Sequence, residues 1–223
     1  MSRASNEAAE TQSERDFVDF CDRQHWSAVK LAVSRDQGVR TPDFIVTTAS
    51  GYEFVAEVTE FEPESPLELE VSRVRQHTLG NPLRAKLNAK KTQLRRFSDR
   101  YPTLIVVFAE FDNFTYLEST AFDSALYGEI AATAHVPKDP RQGVRFDNET
   151  HNAGRRFFGP MHNTRISAVG ALDRRPQTLR IYHNRYAKNP LDAARTVLGT
   201  TRVEHFAKPI EAATGWEQMF CQN

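Results

Sequence analysis

The run from Arg40 to Phe61 constrains this chain more than any other stretch. Two apolar-rich segments, Phe44-Ile45-Val46 and Tyr52–Val58, flank the turn Thr48-Ala49-Ser50-Gly51, which is the pattern of a β-hairpin. Asp43 stands at the mouth of the first segment and Glu57 inside the second. Carboxylates are depleted in strands and are rarely buried unless paired or bound to a metal. Two acids side by side on a hairpin repel each other unless a cation lies between them. Side chains alternate along a strand, so Glu53, Val55, Glu57 and Thr59 share one face and Tyr52, Phe54, Ala56 and Val58 the other. Whatever covers the first face receives Glu57 and Thr59 together.

The elements around the hairpin set its context. Phe17, Phe20 and Cys21 recur at helical spacing, and predict a helix over 11–24. Residues 26–33 read as a strand and 34–38 as a turn. Beyond the hairpin, Glu62-Pro63-Glu64-Ser65-Pro66 breaks the strand and 67–78 reads as a helix. A stronger helix follows over 82–97, with Asn81 as its N-cap and Pro82 in its first position. Thr103–Ala109 is a β-branched and aromatic run, expected to be a strand buried on both faces. Strand, helix and strand in succession imply a crossover and parallel pairing. In the second half the pattern predicts a helix over 119–132, mostly loop over 134–163, strands over 164–172 and 178–182, and a short helix over 191–198. The C-terminal segment is poorly patterned. The expected fold class is α/β bordering on α+β, a central mixed sheet flanked by helices. Residues 11–109 form its core, and 110–223 a C-terminal α+β extension that completes the sheet and packs on that core.

With 223 residues, 39% of them hydrophobic, the chain has enough for one sizeable core and too little for two, so 1–223 is expected to be a single domain. Lys and Arg number 29, as do Asp and Glu, so net charge gives no push towards nucleic acid. The distribution is uneven, with acids crowding 53–70 and bases 73–100. No apolar run approaches membrane-span length and the N-terminus lacks a signal-peptide core, so the expected location is cytoplasmic. Cys21 and Cys221 are too few for a disulfide framework. His151, His162, His183 and Asp147 lack the close helical spacing of a zinc motif. Neither a Gly-rich phosphate loop nor a Gly-x-Ser-x-Gly elbow occurs.

The 82–97 helix carries a conflict. At about 100° per residue, Leu83, Leu87, Leu94 and Phe97 fall in one apolar stripe, and Lys90 falls inside it. A lysine there is costly unless its ammonium meets an anion or escapes to solvent. Glu57 is the candidate anion; the other reading has Lys90 snorkelling past Leu94. Arg84, Lys86, Lys91 and Arg95, with Arg96 and Arg100, make a basic flank, either for phosphates or as a solvated helix face. Arg73, Arg75 and Gln76 are placed near it. Asp43 and Glu57 likewise have two readings: ligands of a hard cation, or a turn cap beside Arg40 and a partner for a helix lysine.

Pro42-Asp43 followed by Glu57-Val58-Thr59 resembles the PD-(D/E)XK nuclease superfamily, whose fold is restriction-endonuclease-like. The superfamily order of helix, three strands, helix and strand matches 11–109. The resemblance implies that Asp43, Glu57 and the backbone carbonyl of Val58 hold Mg²⁺ or Mn²⁺, and that the reaction is phosphodiester hydrolysis in nucleic acid, DNA foremost. It departs at Thr59, where the pattern has Lys. Members with a displaced Lys draw it from the following helix, and Lys90-Lys91-Thr92-Gln93-Leu94 resembles their pattern. Lys90 then stands in for the strand Lys, and Gln93 orients water or phosphate. Glu14 matches the place of an additional metal-binding Glu in some members, and equally suits a solvated helix position. Many members act as dimers, so a homodimer is a further expectation. Two other classes remain open: an inactive protein of this fold that binds nucleic acid or a protein partner, and an interaction protein with no nucleic-acid role.

Overall fold

The computed structural model describes residues 11–32, 41–61, 80–109, 119–131, 134–135, 145–146, 150–152, 156–173, 178–196, 203–207 and 217–220. The first helix, α1 (Gln12–Arg23), begins at a capping box in which the Thr11 hydroxyl accepts the Glu14 N–H and the Glu14 carboxylate accepts the Thr11 N–H. Its buried stripe is Ser13, Phe17, Phe20 and Cys21. Four strands and a second helix follow: β1 (Ser27–Lys30), β2 (Phe44–Thr47), β3 (Glu53–Glu60), α2 (Asn81–Leu94) and β4 (Thr103–Ala109). After α3 (Ser119–Tyr127) come β5 (Glu129–Ala131), β6 (Ala134–His135), β7 (Arg145–Phe146), β8 (Thr150–Asn152), β9 (Ala168–Asp173), β10 (Leu179–His183), β11 (Val203–Ala207) and β12 (Glu217–Phe220).

Eight strands form one mixed sheet in the order β1-β2-β3-β4-β9-β10-β11-β12. The β2–β3 hairpin is antiparallel, with Phe44 opposite Ala56. The β3–β4 pair is parallel, as the crossover through α2 requires, and the β4–β9 pair is parallel too. Residues on alternate faces of β3 enter two separate cores. Phe54, Ala56 and Val58 join Phe17, Phe20 and Phe44 beneath α1. Val55 joins Leu83, Leu87, Leu94, Ile105 and Val107 beneath α2 and α3. The result is a sheet with helices on both faces, of the α+β class. Each fully buried Leu or Phe in these cores contributes about 1.5–3 kcal/mol.

Several boundaries differ from the sequence expectation. The strand expected over 26–33 shrinks to β1, since Trp26 packs edge-on to Phe20 and Phe54 instead of joining the ladder. The N-cap of α2 is Gly80, not Asn81, whose side chain accepts from Arg84. A Cβ on Gly80 would stand 2.5 Å from the Ala125 backbone N, so α2 starts in close contact with α3. The helix expected over 119–132 stops at Tyr127, where Gly128 takes φ 112° and the chain turns into β5. The helix expected over 191–198 is one 3₁₀ turn, Ala193–Arg195. Three short strands, β6, β7 and β8, lie in the stretch read as loop, and β11 and β12 in the stretch read as unpatterned. The expected turn at 34–38 and helix at 67–78 lie outside the described residues, as do Arg40, Arg73, Arg75, Gln76, Asp147 and Cys221.

Candidate functional site

Side-chain alternation along β3 sends Glu57 to the α2 side, where the residue is fully buried. The α2 stripe buries Leu83, Leu87 and Leu94, and so holds Lys90 over the strand. The Lys90 Nζ donates to Glu57 Oε1 at 2.7 Å. The lysine side chain keeps 28% of its surface exposed, so its stem packs in the stripe while its head meets the carboxylate. Of the two readings for Lys90, the structure takes the ion pair.

Asp43 reaches the same place from the start of β2. Its Oδ2 accepts the Val58 N–H at 2.8 Å. The odd-numbered residues of β3 direct their backbone groups to β4, as the bonds from Val55 N–H to Pro102 and from Phe61 N–H to Phe108 show. The even-numbered ones face β2. Continuing the Phe44–Ala56 register sets Pro42 opposite Val58. Proline has no N–H to return to the Val58 carbonyl. Pro42 thus leaves that carbonyl without a ladder donor, and Asp43 stands beside it.

The two acids perturb each other. Glu57 is pushed up to about 8, first by burial and then by the Asp43 charge, against the opposing bond from Lys90. Burial likewise raises Asp43, while the Val58 N–H and the Lys90 charge lower it and the Glu14 charge raises it. Glu57 Oε2 is buried and has no hydrogen-bond partner among the described residues. Two carboxyls so placed share a proton or take up a cation near neutral pH. The donor set is all oxygen, which suits a hard divalent ion. Among the described residues, no group of three or more His, Cys, Asp or Glu side chains could hold a metal. An ion here would rely on Asp43, Glu57, the Val58 carbonyl and water.

The other expected residues divide. Thr59 lies on the Glu57 face and is buried, so the motif position is inside the fold and carries no charge. Gln93 lies one turn beyond Lys90 on α2, half-buried. It makes no hydrogen bond to the pair among the described residues. Glu14 is near enough to raise Asp43, but its Oε2 accepts the Thr11 N–H at 2.7 Å and pairs with Lys30 at 3.1 Å. It is brought to the neighbourhood of the acids and is held by its helix cap. Lys86 and Lys91 are half-buried, and Arg95, Arg96 and Arg100 are exposed. Arg84 does not belong to this flank: it is buried, and donates to the Ala125 and Ser124 carbonyls at the end of α3 and to Asn81. No helix of the described residues is long and apolar enough to cross a membrane.

Sequence reasoning missed one polar cluster. His183 Nε2 and His205 Nδ1 lie 2.8 Å apart, and His205 Nε2 is 3.4 Å from the Thr196 hydroxyl. That hydroxyl donates to the Asp192 or Ala193 carbonyl, so it accepts from His205. The remaining His205 nitrogen therefore accepts from His183. Burial lowers His183 to about 4 and His205 to about 3, with the Asp192 charge opposing the fall at His183 and the His183 charge adding to it at His205. His183 pairs with His205 and not with His162, which is exposed. Only the β10–β11 pairing brings the two rings together, and β11 gives no strong strand signal in the sequence. Compared with protein-family models, with curated proteins and with solved structures, the chain matches none of them.

Proposed function

We propose that this protein hydrolyses phosphodiester bonds in nucleic acid, DNA foremost, at a restriction-endonuclease-like site built from Asp43, Glu57 and Lys90. The observation that carries the reading is the 2.7 Å contact from Lys90 to Glu57 Oε1, with Oε2 of the same carboxylate buried and the Asp43 carboxylate close enough to raise the Glu57 pKa. This is a metal-motif pair whose missing strand Lys, at Thr59, is replaced by one from the facing helix. Asp43, Glu57 and the Val58 carbonyl would hold Mg²⁺ or Mn²⁺, which when bound activates water and polarises a phosphate. Asp43 is fixed for that task by the Val58 N–H. Lys90 spends one of its three donors on Glu57. The others can hold the attacking water or a phosphate oxygen. The new water-oxygen-to-phosphorus bond replaces the ester bond to the leaving oxygen, which takes up a proton. Lys91, Arg95, Arg96 and Arg100 would offset the phosphate charge along the strand.

The test is cleavage of single- and double-stranded DNA and of RNA with Mg²⁺ or Mn²⁺, against Asp43→Ala. Metal-dependent cleavage lost in the variant supports the reading; cleavage undiminished in the variant dismisses this site. A second reading is favoured by Thr59 itself: a nuclease-fold protein that has lost its chemistry and binds nucleic acid or a protein partner. Salt-sensitive DNA binding without any Mg²⁺ or Mn²⁺ binding would select it.

A further inference from the structure

A cleft of about 600 Å³ opens at the end of the sheet where β3 and β4 begin. Its walls include Tyr52 and Glu53 from the hairpin, Arg100 and Tyr101 from the approach to β4, and Asn189 and Asp192 from the chain after β10. Two guanidinium groups lie over its aromatic rings: Arg100 is 5.3 Å from the Tyr101 ring and Arg195 is 4.7 Å from the Tyr52 ring. The far wall is pinned, because the Asp192 N–H donates to the Tyr52 hydroxyl at 2.8 Å. The cleft is therefore preformed, with flat faces, cations beside them, and two exposed carboxylates, Glu53 and Asp192, at its rim.

We infer that this cleft receives one unpaired nucleobase of a single nucleic-acid strand. The inference rests on the hydrolytic reading for its substrate class, and goes beyond it in naming a separate subsite. Three features of the molecule point to this occupant. Tyrosine rings stack nucleobases, and guanidinium groups beside them add cation–π attraction. The chain between Lys90 and the cleft is basic: Lys91 lies on α2, and Arg95 and Arg96 follow the end of the helix at Leu94 on the way to Arg100, which is itself in the wall. Along β3, Glu53 is four residues from Glu57, about 13 Å, which is about four stacked nucleotides. A strand held at the Asp43–Glu57 pair thus passes the α2 cations and ends in the cleft. The rim carboxylates repel phosphate but accept hydrogen bonds from exocyclic amino groups, which cytosine and adenine have and thymine lacks. The subsite prefers C and A over T.

The test is fluorescence anisotropy of labelled dC, dA and dT single strands of about twelve nucleotides, with the full chain in EDTA and low salt. Wild type is expected to bind dC and dA more tightly than dT. Removing one stacked base weakens binding roughly 5- to 100-fold, and that loss is expected for Tyr101→Leu and for Arg100→Ala. Arg100 is exposed, so its variant reports even if Tyr101→Leu disturbs the fold; because Arg100 also lies along the phosphates, the subsite is read there by loss of the dC and dA preference over dT, which a lost phosphate contact leaves in place. Glu53→Gln is expected to narrow the preference over dT. Affinities within about two-fold of wild type for both Arg100→Ala and a folded Tyr101→Leu would overturn the subsite, as would capture of a proline-rich peptide by the cleft with no oligonucleotide binding. The two proposals fail separately. Base-selective binding lost in Arg100→Ala, without any metal-dependent cleavage by wild type, keeps the subsite and removes the hydrolysis. Cleavage lost in Asp43→Ala, with normal strand binding by Arg100→Ala, does the reverse.

Discussion

Glu57→Gln should make the metal-free protein more stable, by an amount that grows with pH. Glu57 is fully buried, and its pKa is raised from 4.5 to about 8 by burial and by Asp43. Between those values the native state holds a proton that the unfolded state has lost, so wild-type stability falls as pH rises through this window. At about 1.4 kcal/mol per pH unit per proton, the loss between about pH 6 and about pH 8 comes to about 2 kcal/mol. Glutamine keeps the shape, still accepts from Lys90, and puts an amide donor towards Asp43 in place of the unpartnered Oε2. It does not ionise, so the variant lacks the falling limb. Urea unfolding in EDTA should therefore show its advantage widening by about 2 kcal/mol over that range, or about 4–8 °C in Tm for a domain of this size. Saturating Mg²⁺ should reverse the order, because an ion that binds only the native wild type stabilises it by about 2.7 kcal/mol at a hundred times Kd. Parallel pH profiles for wild type and variant in EDTA would refute the reasoning, since they would mean that Glu57 titrates at its ordinary value.

Lys90→Met removes the one cation in contact with Glu57 among the described residues, and should lower metal-dependent cleavage by about 10²–10³-fold, the usual cost of a lost charge-stabilising donor. Its stability deficit in EDTA should be larger at pH 9 than at pH 6, because the bond and charge of Lys90 are what hold the Glu57 pKa down; a deficit that does not change with pH would contradict the pairing. The His183–His205 pair has the opposite sign to Glu57. Both folded pKa values lie below the ordinary 6.5, so the unfolded state binds more protons and stability falls as pH drops from 6.5 towards about 4. His205→Gln should flatten that acid limb in urea titrations, and an unchanged limb would place the acid sensitivity elsewhere.

The hairpin and its two acids were legible because they depend on local signals: a turn, a strand period, and carboxylates where strands seldom carry them. Lys90 was legible as a conflict, a charge inside an apolar stripe, and the structure resolves the conflict through Glu57. Arg84 was not legible. On the helical wheel it differs little from its basic neighbours, and only the approach of α3, allowed by Gly80, takes it out of solvent. The histidine pair was hidden for a related reason. Its two rings meet only through the parallel pairing of β10 with β11, a non-local contact with no local sequence signature. Pro42 is the converse case. Its place before Asp43 reads as a motif letter in the sequence, and the ladder shows its physical use, the removal of an N–H opposite Val58.

In the proposed reaction the site lysine comes from α2, which would tie the chemistry to the packing of that helix. A strand Lys at position 59 would be positioned by the sheet. Lys90 is instead positioned by α2, whose N-terminal end is anchored by Gly80 against Ala125 and by Arg84 on the last carbonyls of α3. Arg84→Met should therefore act on the site at a distance. It keeps the buried stem but removes the Arg84 donor from the Ser124 carbonyl and leaves the Ala125 carbonyl with the Phe157 N–H alone, a cost of about 1–3 kcal/mol. The expected result is a protein that is folded at 25 °C with a lower Tm, and cleaves with reduced kcat and little change in KM, because Lys90 is loosened while the exposed cations proposed to meet the strand stay in place. Arg84→Lys, which retains a charge but not the forked donors, should recover only part of the rate. A variant that loses stability but keeps the wild-type kcat would show that Lys90 is held by the Glu57 contact alone, and that α3 has no part in setting the site.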